Sequence, residues 1–302
     1  MSPAREAGAE ATRGIRPRKY RLPDETRLGR VRLQVADLER SVHFYERVVG
    51  LRVITRTSDT VTLGAHGDSR IIVELRQHAT ARPVPKRGLL GLYHFAILVP
   101  DRAALGRFIG HLTDLGVPAG MSDHAVSEAV YLTDPDGLGI EVYADRPRDA
   151  WRYDELEIFM TTARLDAASV IRAAGGQTWS GMPAGTMLGH VHLYVDDIDK
   201  AASFYHHALG FDKVVWSYPG ALFMSAGGYH HHLGTNTWAS GAARATDADA
   251  RLLEWEILVP TEADGDRAGA SLQAAGYAAK KDEKAWLTLD PWGTALRLIP
   301  EA

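Results

Sequence analysis

The strongest constraint on this chain is that it repeats itself. Leu28, Gly29, Val31, Leu33 and Val35 return 160 residues later as Leu188, Gly189, Val191, Leu193 and Val195. The same offset carries Asp37 to Asp197, Phe44 and Tyr45 to Phe204 and Tyr205, and Gly50 to Gly210. It also carries Ile97, Leu98, Val99 and Pro100 to Ile257, Leu258, Val259 and Pro260, and Asp134-Pro135 is answered by Asp290-Pro291. Inside each half a similar strand recurs after 64 residues, from 30 to 94 and from 190 to 254. The chain therefore holds four similar modules, beginning near residues 28, 92, 188 and 252.

Each module follows one pattern. An alternating apolar strand such as Val31, Leu33 and Val35 opens it, and an amphipathic helix follows. In the first helix Leu38, Val42, Tyr45, Val48 and Val49 share a face, with Asp37 as the expected N-cap and Gly50 as the C-cap. Three short β runs close the module, expected at 52–57, 60–65 and 70–76 in the first. Phe44, Tyr45, Phe204 and Tyr205 are read as packing of helix on sheet. The expected fold is α+β: four βαβββ modules pairing into two curved, barrel-like mixed sheets with helices outside. The expected divisions are a flexible arm at 1–26 that packs on the body near Tyr20-Arg21-Leu22-Pro23, a first domain at 27–146 (modules 27–80 and 91–146), a connector at 147–187, and a second domain at 188–300 (modules 188–240 and 251–300). Residues 239–250 read as a mobile loop.

Composition narrows the function. There is no cysteine, which removes disulfides, thiolate metal sites and a cysteine nucleophile together. The net charge of −4 gives no footprint for nucleic acid. No apolar run approaches the ~18 residues that span a bilayer, and the basic residues before 27 lack the apolar core of a secretory signal. The cytoplasm is the expected location.

Against this background two residues stand out. His94 sits in an apolar opening strand and Glu141 in an apolar closing strand, and a buried imidazole and carboxylate each need a partner. A lone histidine on such a strand is more often a hydrogen-bonded core residue than a ligand. His190, however, occupies the matching position of module three. The outer modules carry Arg30, Glu254 and Arg297 at the corresponding places, charges that can neutralise one another but cannot bind a cation well.

Four βαβββ modules with these residues resemble the vicinal oxygen chelate superfamily (glyoxalase, bleomycin resistance and dioxygenase proteins). Within it the likeness is to extradiol dioxygenases of the catechol 2,3-dioxygenase type. The resemblance covers about residues 27–300. It rests on Gly189-His190-Val191, Tyr93-His94-Phe95, Asp123-His124-Ala125-Val126-Ser127 and the turn Asp134-Pro135-Asp136-Gly137 before Glu141. It implies a metal held by His94, Glu141 and His190, in the two-histidine, one-carboxylate pattern that leaves one face of Fe(II) open, with Mn(II) as the other candidate. That triad requires inner modules to pair with inner and outer with outer; sequential pairing would instead offer Glu74 beside His94 and Glu141.

The resemblance further implies an acid–base role for His124, a substrate hydrogen bond from Tyr131, and a dioxygen-side role within His230-His231-His232, where His232 is the residue chosen. His192 shares the strand face of His190, Trp238 follows near the pocket, and His206 and His207 are expected on an exposed helix face. The substrates implied are a small aromatic diol and O2, with no nucleic acid or membrane partner; exposed sheet edges leave room for a homo-oligomer. Two rival functions share the fold: a metal-dependent isomerase, lyase or transferase, and a metal-free protein that binds a small antibiotic-like molecule.

Overall fold

A computed structural model describes residues 13–301. Its two large sheets follow the module pattern. Modules two and three supply eight strands of a nine-stranded sheet, the ninth coming from the connector, and modules one and four build an eight-stranded sheet. At the centre of the first, the opening strands Gly91–Leu98 and Met187–Tyr194 pair antiparallel. At the centre of the second, Arg27–Val35 pairs antiparallel with Arg251–Val259. Each opening strand also pairs in parallel with the closing strand of its own module. The two sequence halves thus contribute one module each to each sheet, the inner-with-inner pairing that the ligand pattern requires.

Strand alternation separates core from concavity. Phe95, Ile97 and Val99, and likewise Val191, Leu193 and Val195, are buried toward the helices. The residues between them, His94 and Ala96 or His190 and His192, point to the opposite face. Each apolar side chain so buried contributes about 1.5–3 kcal/mol.

The helices start on side-chain caps at matching module positions. Asp37, Asp101 and Asp197 each accept a main-chain N–H three residues on, and Thr261 forms a reciprocal capping box with Asp264. The first helix runs from Leu38 to Phe44 and then widens into a π-type turn, Tyr45–Val49, that ends at Gly50 in a left-handed conformation (φ 84°). The third module repeats this wide turn at Ala202–Ala208. Tyr45 and Tyr205 are core residues, as expected, but each also bonds a buried aspartate of the next module, Asp134 at 3.3 Å and Asp290 at 2.7 Å.

Three expectations need correction. Residues 13–26 are docked beyond the stretch Tyr20–Pro23 expected to pack: besides the buried Leu22 and the Arg21 guanidinium on Asp212, Ile15 bridges Lys213. This segment covers the edge strand Asp212–Val215; the rest of the expected arm, residues 1–12, lies outside the described residues. The 239–250 loop is tied to the body by bridges from Leu90 to Arg244 and from Arg82 to Asp249. His206 is buried, its Nδ1 2.7 Å from the Phe211 carbonyl oxygen.

The outer sheet's concavity is filled by charge. Arg30 reaches Glu74 and Glu256, both at 2.9 Å, and Arg32 reaches Glu74 at 2.6 Å and Glu254 at 3.5 Å. Arg297 closes the network on Glu254 at 3.3 Å. Glu74 is therefore committed to arginines in the other sheet. Among the described residues, no helix is long and apolar enough to cross a membrane.

Candidate metal centre

Three strands of the inner sheet set the site. His190 faces Ala96 across one ladder, and Ala96 faces Glu141 on Gly139–Asp145 across the next. Register partners point to one face, and His94, two residues before Ala96, joins them there. The three side chains surround the small Ala96 methyl. One potential ligand atom from each lies within 4.8 Å of the other two.

The Nε2 atoms of His94 and His190 stand 3.0 and 3.1 Å from the same Glu141 oxygen. The His190 contact is aligned as a hydrogen bond, whereas His94 Nε2 is close but has no aligned partner. A buried polar atom left this way costs about 1–3 kcal/mol, and a cation between the three groups would take up its lone pair. Among the described residues the Nδ1 atoms of both rings also lack a protein partner, and nothing in the fold accounts for that.

Local sequence aims these groups. The ladder slips between Leu188 and His190, leaving Gly189 as the extra residue of a bulge. A Cβ at Gly189 would lie 1.8 Å from the Tyr143 hydroxyl oxygen, so glycine leaves the room that this side chain occupies across the intervening strand. Gly139 makes a similar approach, where a Cβ would stand 2.1 Å from the Tyr93 carbonyl oxygen.

Electrostatics favours ligation. Burial pushes the Glu141 carboxyl up, but the His190 and His94 imidazoles outweigh it and hold it well below the usual carboxylate range. Burial lowers His190 to about 4 against the pull of Glu141. An ionised carboxylate and a neutral imidazole are the forms that bind a metal. The donor set and the orphaned His94 nitrogen both fit a divalent cation.

The triad forms the floor of a cavity of about 370 Å³. One flank carries the two other residues singled out from sequence. Tyr131 is the register partner of Glu141, and its hydroxyl oxygen lies 2.6 Å from His124 Nε2. His124 Nδ1 lies 2.7 Å from the Thr161 carbonyl oxygen. The turn that presents His124 is tight: Ala125 adopts a left-handed φ of 67°, and the Asp123 carboxylate accepts its N–H. Burial first, then the Glu141 charge, raises the Tyr131 phenol well above its ordinary value.

The opposite flank is aromatic, with Tyr93, Tyr218, Phe223 and Trp238 facing His192 and His231. His232 does not reach the cavity. It packs against Tyr229 and Phe211 and accepts the Ala226 N–H. His231 lines the cavity instead, its ring centroid 4.1 Å from that of His190. The run 230–232 precedes the strand Leu233–Asn236 rather than lying on it, so strand alternation does not govern its side chains. His230 is fully buried, does not line the cavity and meets Asp145 at 2.9 Å.

Met160, Thr161 and Thr162, from the connector, close the roof. No sequence motif marks them. The nearest signal is the length of the connector itself, which adds the strand Ala163–Arg164 to the sheet edge beside Gly120–Asp123.

The sequence profile of the Glyoxalase/Bleomycin resistance protein/Dioxygenase superfamily matches residues 27–142 and 187–284. A Bacillus subtilis (strain 168) protein named Catechol-2,3-dioxygenase is 41% identical over 272 residues, 89% of this chain and 95% of its own length. Among solved structures, a "putative dioxygenase" from Bacillus subtilis subsp. subtilis str. 168 superposes with a TM-score of 0.63 at 15% identity, covering 93% of this chain and 86% of that one. Glyoxalase I from Zea mays superposes at 0.54 and 15% identity, covering 91% and 92%; at such identities the likeness concerns the fold. With both halves matched by one profile and a relative aligned along most of its length, the chain belongs to the Glyoxalase/Bleomycin resistance protein/Dioxygenase superfamily and resembles the catechol 2,3-dioxygenases within it.

Proposed function

We propose that this protein is an extradiol ring-cleaving dioxygenase that opens a catechol-type ring next to a hydroxyl, using Fe(II) held by His94, Glu141 and His190. The observation that carries the reading is the convergence of these three groups within 4.8 Å, beside the bonded pair His124–Tyr131. The relative named Catechol-2,3-dioxygenase supports it. Ferrous iron, when bound, supplies adjacent positions for a diol and dioxygen and the electron transfer between them.

The protein's own groups do the rest. Glu141 brings one negative charge and the two imidazoles none, so a dication keeps net positive charge for a catecholate. Tyr131 is held protonated and turns its hydroxyl to the cavity flank, placed to bond a substrate oxygen. His124 is oriented by Thr161 and offers Nε2 to the same hydroxyl, so it can take up and return a proton at that atom. The Tyr93, Phe223 and Trp238 rings give an aromatic ligand its wall and exclude water. Glu74, the second carboxylate that an isomerase-type site would draw on, is paired with Arg30 and Arg32 in the other sheet.

Anaerobic loading with ferrous iron, followed by catechol and then oxygen, tests the reading. A yellow semialdehyde is expected, formed in step with oxygen uptake. Iron-loaded protein that binds catechol and gives no coloured product would refute it.

A further inference from the structure

The aromatic flank holds an imidazole that the triad does not use. His192 lies two residues beyond His190, is the register partner of His94, and is buried. Its ring rests over Gly234, where a Cβ would come within 2.8 Å of the imidazole Cγ. Tyr93, His94 and Phe223 stand edge-on to it at centroid distances of 5.2, 5.0 and 5.4 Å. Packing on these sides fixes the ring's orientation.

Asn236 fixes where the ring carries its proton. The Trp238 main-chain N–H donates to Asn236 Oδ1 at 3.0 Å. An N–H only donates, so the atom it meets is the amide oxygen, and the other side-chain atom is the amide nitrogen, which also only donates. That nitrogen lies 2.9 Å from His192 Nε2. Nε2 must accept, and a neutral His192 therefore carries its proton on Nδ1. A ring that accepts at Nε2 in this way is the neutral form, with its single N–H at Nδ1. Among the described residues no protein group accepts from Nδ1. Unlike Nδ1 of His94 and His190 it is not sealed in, and the His192 side chain lines the cavity.

We propose that His192 is a pre-set hydrogen-bond donor whose Nδ1–H takes an uncharged oxygen of an aromatic ligand lying against Tyr93, Phe223 and Trp238. The inference rests on the aromatic-diol reading above and extends it to a particular contact. The cavity lining contains no lysine or arginine, so beside His192 a ligand carboxylate would meet only neutral donors. An uncharged oxygen suits the site better, and a donor locked before binding loses little entropy on using it. The oxygen belongs either to the diol or to a neutral ring substituent such as a ketone.

Two measurements test this. Long-range ¹⁵N–¹H correlation spectra of the Zn(II)-loaded protein should show His192 as the Nδ1–H tautomer, with its Hδ1 resonance shifting when catechol or 3,4-dihydroxyacetophenone is added. Anaerobic titration of the ferrous holoenzyme with both ligands should show His192→Phe, which keeps a ring and removes the donor, binding about five- to tenfold more weakly at unchanged iron content. Weakening with both ligands assigns the contact to a diol oxygen; weakening with the ketone alone assigns it to the substituent. An Nε2–H tautomer, an unmoved Hδ1 resonance, or affinities within twofold for both ligands would overturn the proposal, and the spectra decide it even if the Phe variant does not fold. Wild-type protein that binds these ligands and opens neither ring would refute ring cleavage while leaving this contact standing.

Discussion

Tyr131 donates a 2.6 Å hydrogen bond to His124 Nε2 at the edge of the metal centre. Its direction follows from a third group. His124 Nδ1 is 2.7 Å from the Thr161 carbonyl oxygen, which can only accept, so the proton of a neutral His124 is on Nδ1. The pair thus waits with a base nitrogen turned toward a phenol that a substrate oxygen can engage. Thr161 comes from the connector, which makes that segment part of the site and not simply a tether between modules.

His124→Ala and Tyr131→Phe are expected to keep the metal and lose turnover, by roughly 10²- to 10⁴-fold for His124 if its proton transfer limits the rate. Metal analysis beside single-turnover kinetics separates the two effects. Unchanged turnover in His124→Ala would remove its acid–base role.

His94→Ala and His190→Ala should each weaken metal binding by more than about 100-fold, the range reached even by partners outside the ligand set. Calorimetric titration of metal-free protein with Fe(II) or Mn(II) under anaerobic conditions measures this. The two residues lie on neighbouring strands from different halves of the chain, so near-normal affinity in either variant would show that the strands do not share an ion.

Much of this was legible in the sequence because strand positions repeat at a fixed offset. The 160-residue period aligned His190 with Arg30, the 64-residue half-period aligned His94 with it, and only an inner-with-inner pairing could then bring His94, Glu141 and His190 together. Where periodicity stops, so does that legibility. His230, His231 and His232 occupy an irregular turn, and the cavity takes His231 instead of His232 because no two-residue alternation holds there. Thr161 contributes a main-chain carbonyl, which any residue type supplies, so its identity carries no signal. Asp134 and Asp290 mark turns by sequence, yet their bonds to Tyr45 and Tyr205 depend on wide helical turns that apolar patterning does not reveal.

The outer sheet yields a prediction about stability alone. Arg30 sits between Glu74 and Glu256, whose side chains are each 10% exposed. Arg30→Met would leave the mostly buried Glu256 without a cation and Glu74 with Arg32 alone, a loss of about 3 kcal/mol. Urea unfolding should record that loss while metal affinity at the inner site stays within twofold. A variant as stable as wild type would mean that water already solvates these carboxylates.

The metal-free protein should also lose stability as pH falls, in a window set by its buried imidazoles. Burial lowers His190 to about 4 and His232 to about 3, and holds His192 and His231 well below their ordinary value. In the unfolded chain each returns to about 6.5. Between roughly pH 6.5 and 4 the unfolded chain binds protons that the folded chain refuses, so stability drops with pH. Glu141 acts in the same direction lower down: its folded pKa is depressed, so its contribution is present above its ordinary value of 4.5 and fades as pH falls toward the folded value. Asp134 opposes them. Burial raises it to about 7, so its contribution is present below its ordinary 3.8 and is lost as pH rises through 7. Burial also raises Asp290 and Glu256, which oppose in the same way, but four imidazoles outnumber the three carboxyls and His190 alone represents on the order of 3 kcal/mol. Thermal unfolding in a chelating buffer should show Tm falling steadily from pH 7 to pH 4.5, and His232→Phe should flatten the slope by up to one proton. A Tm that stays level across that range would mean that the imidazoles protonate within the folded protein.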